Sequence, residues 1–218
     1  MRGTLYARTV TEELRTYIEQ TSSQHPAFAQ ALEDAHEFGL TIPDTMTGEL
    51  LSTLTAAAHA RSAIIVTPAA SIVGLYILKG LQDSGTLTCV DQEPEYHKRA
   101  KDAFRAAGYS LTNIRFLPSP PLTVMKRFAQ DSYQLVYGEV PPVDIQAFVD
   151  AALPLLSVGG SIVLPDMLFD GTIGDHTRKD RDSVAAREAD EYIRNLEHVL
   201  VTRLPLGAGM VVITKLDA

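Results

Sequence analysis

Three acids and one turn of small residues stand at the ends of short apolar runs in this chain, and their types and spacing define the chemistry it could perform. The run Thr88-Cys89-Val90 ends in Asp91-Gln92-Glu93-Pro94, about 20 residues beyond the turn Thr67-Pro68-Ala69-Ala70-Ser71. A carboxylate at that distance beyond the first turn of an alternating sheet accepts hydrogen bonds from ribose hydroxyls. The bland alternative is a helix cap ahead of Pro94; position and spacing together favour ribose. Glu139 follows Val136-Tyr137-Gly138, with Gly138 expected to leave room beside it, and Asp166 follows Ile162-Val163-Leu164-Pro165. Two carboxylates on one rim could hold a divalent cation, since hard metals need clustered oxygens, or one could act as a general base. Both could equally be solvated loop acids. Ser119, in Leu117-Pro118-Ser119-Pro120-Pro121, could offer its hydroxyl to an adenine edge or belong to a rigid turn.

These residues need a scaffold that brings strand ends together, and the apolar pattern supplies one. Strand-length apolar runs at 62–67, 86–91, 113–117, 133–138 and 161–165 alternate with helical periods at 72–81, 94–107, 122–128 and 144–156. That alternation predicts an open, doubly wound, mainly parallel α/β sheet covered on both faces. A long charged helix over 178–196 precedes two further runs, 198–204 and 210–214, joined by Pro205-Leu206-Gly207-Ala208-Gly209 as an antiparallel hairpin at one edge, which makes seven strands. Upstream, periods at 11–21, 26–38 and 45–59 predict an N-terminal cap of helices, with Glu33, Asp34 and Glu37 on a solvated face. The whole chain, 1–218, reads as one domain, with 1–61 as cap and 62–218 as α/β core.

Composition narrows the function classes. Hydrophobic residues make up 45% of the chain, enough for a continuous core, and a formal net charge of −8 without a basic run argues against nucleic acid. The start of the chain has no apolar core of signal-peptide length and no later run is long enough to span a bilayer, so a cytoplasmic protein without a membrane partner is expected. Cys89, the single cysteine, sits in an apolar run and reads as a buried small hydrophobe. None of the six histidines has the spaced partner of a zinc helix; His176 and Arg178 lie in a charged loop that is either solvated surface or a lid reaching the substrate. A Gly-x-Ser-x-Gly elbow and a Gly-Lys-Ser/Thr phosphate loop are both absent, which removes two common enzymes of alternating sheets.

The order of residues 65–74, 86–96, 133–137, 155–163 and 204–209 resembles the S-adenosylmethionine-dependent O-methyltransferases of the catechol and caffeoyl-CoA type, with the nearest likeness to their actinobacterial relatives. The resemblance covers about residues 30–216 and includes Pro43-Asp44-Thr45-Met46-Thr47-Gly48-Glu49-Leu50-Leu51, a stretch that in the family helps close the cofactor site. It implies a Rossmann-like class I methyltransferase fold, S-adenosylmethionine as cofactor, a small-molecule acceptor and a homodimer. The family's glycine-rich first loop, Glu-x-Gly-x-Gly-x-Gly, falls on Ile65, Thr67, Ala69 and Ser71, and its ribose acid on Asp91. Its three metal ligands fall on Glu139, Pro165 and Asp166, and its catalytic lysine on Pro142; a proline side chain can neither ligate nor deprotonate, so no metal site is expected. The implied cofactor contacts are Pro43, Ile65, Thr67, Pro68, Ala69, Val73, Asp91, Gln92, Ser119 and Glu139, with Glu139 and Asp166 at the acceptor. The expected activity is O-methylation; the competing reading is a catalytically degenerate descendant that keeps the sheet for binding or dimerisation. A nicotinamide dehydrogenase is a weaker third, because the missing glycines hurt it at least as much.

Overall fold

The computed structural model describes residues 12–22 and 25–217. The opening residues, on which the absence of a leader was read, and Thr11 of the first predicted helix lie outside them. Seven strands form one sheet: β1 (Ser62–Val66), β2 (Thr86–Asp91), β3 (Ile114–Pro118), β4 (Tyr133–Gly138), β5 (Leu156–Leu164), β6 (Val199–Leu204) and β7 (Met210–Lys215), in the order β3-β2-β1-β4-β5-β7-β6. The five central strands run parallel and β7 is antiparallel to both β5 and β6. The doubly wound sheet with its edge hairpin is therefore as the alternation predicts.

The helices are α1 (Glu12–Thr21), α2 (Ala27–Glu37), α3 (Thr45–Ala57), α4 (Ala70–Gly80), α5 (Pro94–Ala106), α6 (Pro121–Met125), α7 (Ile145–Ala152) and α8 (Arg181–Arg194). Two apolar clusters, one on each face, cover the sheet: Ile65, Cys89, Tyr137 and Val163 point to the face under α2 to α5, and Ile64, Val90, Val136 and Ile162 to the face under α7 and α8. Neighbouring residues of one strand point to opposite faces, so strands covered on both sides read as unbroken apolar runs. Helix α4 is apolar all round because it is wrapped by the sheet, α3 and α5, and residues 70–77 are all buried. Cys89 is fully buried and burial pushes its thiol far above the ordinary range, as expected of an inert core cysteine.

Two sequence expectations change. β5 begins at Leu156, five residues before the predicted start, inside what reads as the end of a helix. Gly159, at φ +79°, and a register shift opposite Tyr133–Leu135 let the strand continue through Ser157-Val158-Gly159-Gly160, a stretch whose composition looks like a turn. Asp34 is not simply solvated: it pairs with Arg99 of α5 at 3.3 Å and so ties the helical cap to the α/β core. Among the described residues no helix is long and apolar enough to cross a membrane.

Candidate functional site

The strand order reverses between β1 and β4, the place where open α/β sheets bind ligands. Pairing registers set three chain segments level there: Val66 lies opposite Val90 on β2 and Gly138 on β4, so Thr67, Asp91 and Glu139 leave the sheet side by side. Glu139 continues the pairing by one bond, its N–H donating to Val66 O at 2.8 Å. Gly138 is required, though not for the reason its position suggests: the space where a Cβ would stand is filled by the Phe148 ring of α7, and no room is left beside Glu139 on that side.

The turn after β1 is held by a side chain. Thr67 is buried; its hydroxyl accepts from Ala69 N–H at 3.0 Å and donates to Glu139 Oε2 at 2.6 Å. One hydroxyl thus satisfies a backbone donor at the start of α4, which has no side-chain cap of its own, and fixes the carboxylate across the crevice. Burial pushes the Glu139 carboxyl above its ordinary range; the Thr67 bond offsets part of this, while the like charges of Asp166 and Asp91 add to it.

Glu139 is the wall between two spaces. Outside it runs a groove of about 610 Å³ lined by Thr67, Pro68, Asp91, Gln92, Tyr96 and Pro120, among others. Asp91 closes its own turn by accepting from Glu93 N–H at 2.7 Å through Oδ1, as the helix-cap alternative anticipates in part, and its carboxylate still faces the groove. On the other side lies a chamber of only about 20 Å³, lined by Asp44, Thr47, Tyr137, Glu139, Asp166 and Gly207 with several apolar neighbours. Asp166 stands at φ +53° and its Oδ1 accepts from Ala208 N–H at 2.7 Å; Asp44 caps α3 through Thr47 N–H at 2.7 Å and accepts from Gly207 N–H at 3.3 Å. The Tyr137 hydroxyl is pushed well up by burial and then by the charges of Glu139 and Asp166, so it stays protonated.

Of the residues singled out in the sequence, Thr67, Pro68, Asp91, Gln92 and Glu139 meet in the groove, and Pro43 and Asp166 join Glu139 at the chamber. Ile65, Ala69 and Val73 are fully buried, with Ile65 and Val73 in the core beneath α4, and Ser119 lines neither space. His176 and Arg178 are exposed and line neither; Arg178 instead bonds Thr172 and pairs with Asp180. Tyr96 and Tyr137 line these spaces without having been given a role, and Asp44 and Thr47 were marked only through the resembling stretch 43–51, which in the family helps close the cofactor site. A third cavity, about 490 Å³ between α2, α3, α4 and the end of α5, is reached by no strand terminus.

The groove has the volume, and at the terminus of β2 the acid, that a ribose with a methionine-like tail would need. A divalent cation does not fit the chamber. Pro165 occupies one of the three positions at which the resembling family ligates metal, and among the described residues no three His, Cys, Asp or Glu side chains are grouped to hold an ion.

The sequence profile of the O-methyltransferase family matches residues 22–216. A protein of Mycolicibacterium smegmatis, provisionally named an O-methyltransferase, is 34% identical over 199 residues, covering 91% of this chain and 95% of its own. A Corynebacterium glutamicum protein of known crystal structure is 58% identical, with a TM-score of 0.92 over 95% of this chain and 97% of that one. The O-methyltransferase TomG from Streptomyces achromogenes, involved in tomaymycin synthesis and solved in complex with SAM, shares the fold at 17% identity, with a TM-score of 0.83 over 94% of this chain and 96% of that one.

Proposed function

Because the chain belongs to the O-methyltransferase family, we propose that it methylates an oxygen of a small acceptor with S-adenosylmethionine as donor, Asp91 and Gln92 holding the ribose end and Glu139 meeting the acceptor hydroxyl. The observation that carries this reading is the level emergence of Thr67, Asp91 and Glu139 at the strand-order reversal, on one groove of sufficient size. When bound, the donor supplies an activated methyl group and so carries the hard chemistry. The chain must then orient and deprotonate. Thr67 holds Glu139 at the boundary between groove and chamber, and Glu139, made more basic by burial, accepts the acceptor's proton. Asp166, fixed by Ala208 N–H, lines the acceptor side. No step of this reading is routed through a metal, because Pro165 stands at one of the three positions at which the resembling family ligates one.

The test is calorimetric titration with S-adenosylhomocysteine, the demethylated donor. The native protein is expected to bind it, and Asp91→Ala to weaken binding at least tenfold, about 1.4 kcal/mol. Folded protein that gives no heat at millimolar ligand would remove the donor from this reading. Glu139→Gln is expected to keep that affinity while losing roughly 10²–10⁴ in turnover.

A further inference from the structure

We propose that the chamber between Asp44, Thr47 and Asp166 takes an ammonium group of the acceptor, so that the substrates of this protein are hydroxyl compounds carrying a neighbouring primary amine. The inference rests on the donor and acceptor reading above and names the acceptor's class.

Three carboxylates line a space that holds about one water-sized group, and among the described residues no lysine or arginine lines it with them. Arg15 pairs with Asp44 Oδ2 at a long 3.9 Å and also donates to Pro205 O, so it offsets the chamber's negative charge only in part. Acids alone would not define a ligand site. Thr47 adds a buried hydroxyl: it is 3% exposed, it lines the chamber, and among the described residues its Oγ1 has no hydrogen-bond partner. A buried polar atom without a partner costs about 1–3 kcal/mol, and a donor entering the chamber removes that cost. An ammonium offers three donors and asks for three acceptors. Thr47 Oγ1, Asp166 and Asp44 are those acceptors, and Glu139 is left to the hydroxyl on the groove side. A divalent cation asks for about six oxygens in a near-regular shell, which the chamber cannot supply with a proline at one position. A carboxylate-bearing acceptor meets three like charges.

The matched probes are 2-hydroxybenzylamine and salicylate, which share the ring and hydroxyl and differ in the charge of the neighbouring group. Each is titrated into the native protein with EDTA present, with and without saturating S-adenosylhomocysteine, so that failure of the donor to bind is read separately from the chamber's preference. The amine is expected to bind at least tenfold tighter than salicylate, with Thr47→Val and Asp166→Asn each weakening it at least fivefold. Asparagine tolerates the left-handed backbone at 166 and can still accept from Ala208 N–H. Equal or tighter salicylate binding overturns the proposal, as does no binding of either probe, which would leave the chamber to a water. A preference that both folded variants retain also overturns it, because the overall negative charge of the chain would then be its source.

Discussion

The two acids of the candidate site are held in opposite ways. Glu139 is fixed by a side chain: the loop after β1 contains no glycine, and Thr67 reaches across the crevice to the carboxylate. Asp166 is fixed by backbone: the 205–209 loop contains Gly207 at φ +55° and Gly209 at φ +104°, and its N–H groups turn inward to Asp166 and Asp44. A hydroxyl can be replaced by another hydroxyl, whereas a loop built on left-handed glycines has no substitute residue. The donor side should therefore tolerate chemical exchange and the acceptor side should not.

Gly209→Ala tests that contrast most severely. The new methyl would collide with Leu168 at a φ that L-residues avoid, and the Leu168 N–H to Gly209 O bond is at stake. A loss of about 2–4 kcal/mol is expected, seen as a Tm roughly 5–10 °C lower by calorimetry. Thr67→Val comes next, leaving Ala69 N–H and Glu139 without their shared partner at about 2 kcal/mol. Thr67→Ser should recover most of that stability and of the S-adenosylhomocysteine affinity; if it recovers nothing, the hydroxyl is not what holds Glu139. Asp44→Ala removes the cap of α3 and the tether to Gly207, for about 1 kcal/mol, and Asp44→Asn should restore most of it in thermal melts.

What could be read from the sequence follows the same division. Asp91 and Glu139 were legible because strand ends are local: an apolar run stops and an acid follows. The strand alternation was legible for the same reason, and β5 was misjudged where Gly159 and a bulge let a strand run through turn-like residues. The cofactor contacts expected at Ile65 and Val73 carried over from a glycine-rich loop, but β-strand alternation and an all-apolar α4 send those side chains into the core. Asp44 and Thr47 were marked only through the resembling stretch 43–51 and given no role of their own, because nothing local brings the start of α3 to the 205–209 loop. Only packing of the helical cap against the sheet does so.

The smallest expected effect is read on Glu139 alone. Burial is the main cause that raises the Glu139 carboxyl, and Asp166 and Asp91 add repulsion, so its folded-state value lies above the unfolded one. Below the ordinary carboxylate range Glu139 is protonated in both states and its burial carries no charge penalty. As pH rises from that range through the raised value, the unfolded chain releases its proton first, and stability falls. Glutamine keeps the shape and can still accept from Thr67, but never carries the charge. Glu139→Gln should therefore melt at the same temperature as the native protein near pH 4 and about 1–3 °C above it at pH 7–8. If the glutamine variant is less stable at every pH, the charge on Glu139 is stabilised by its surroundings, and the Thr67 bond outweighs burial at the boundary between groove and chamber.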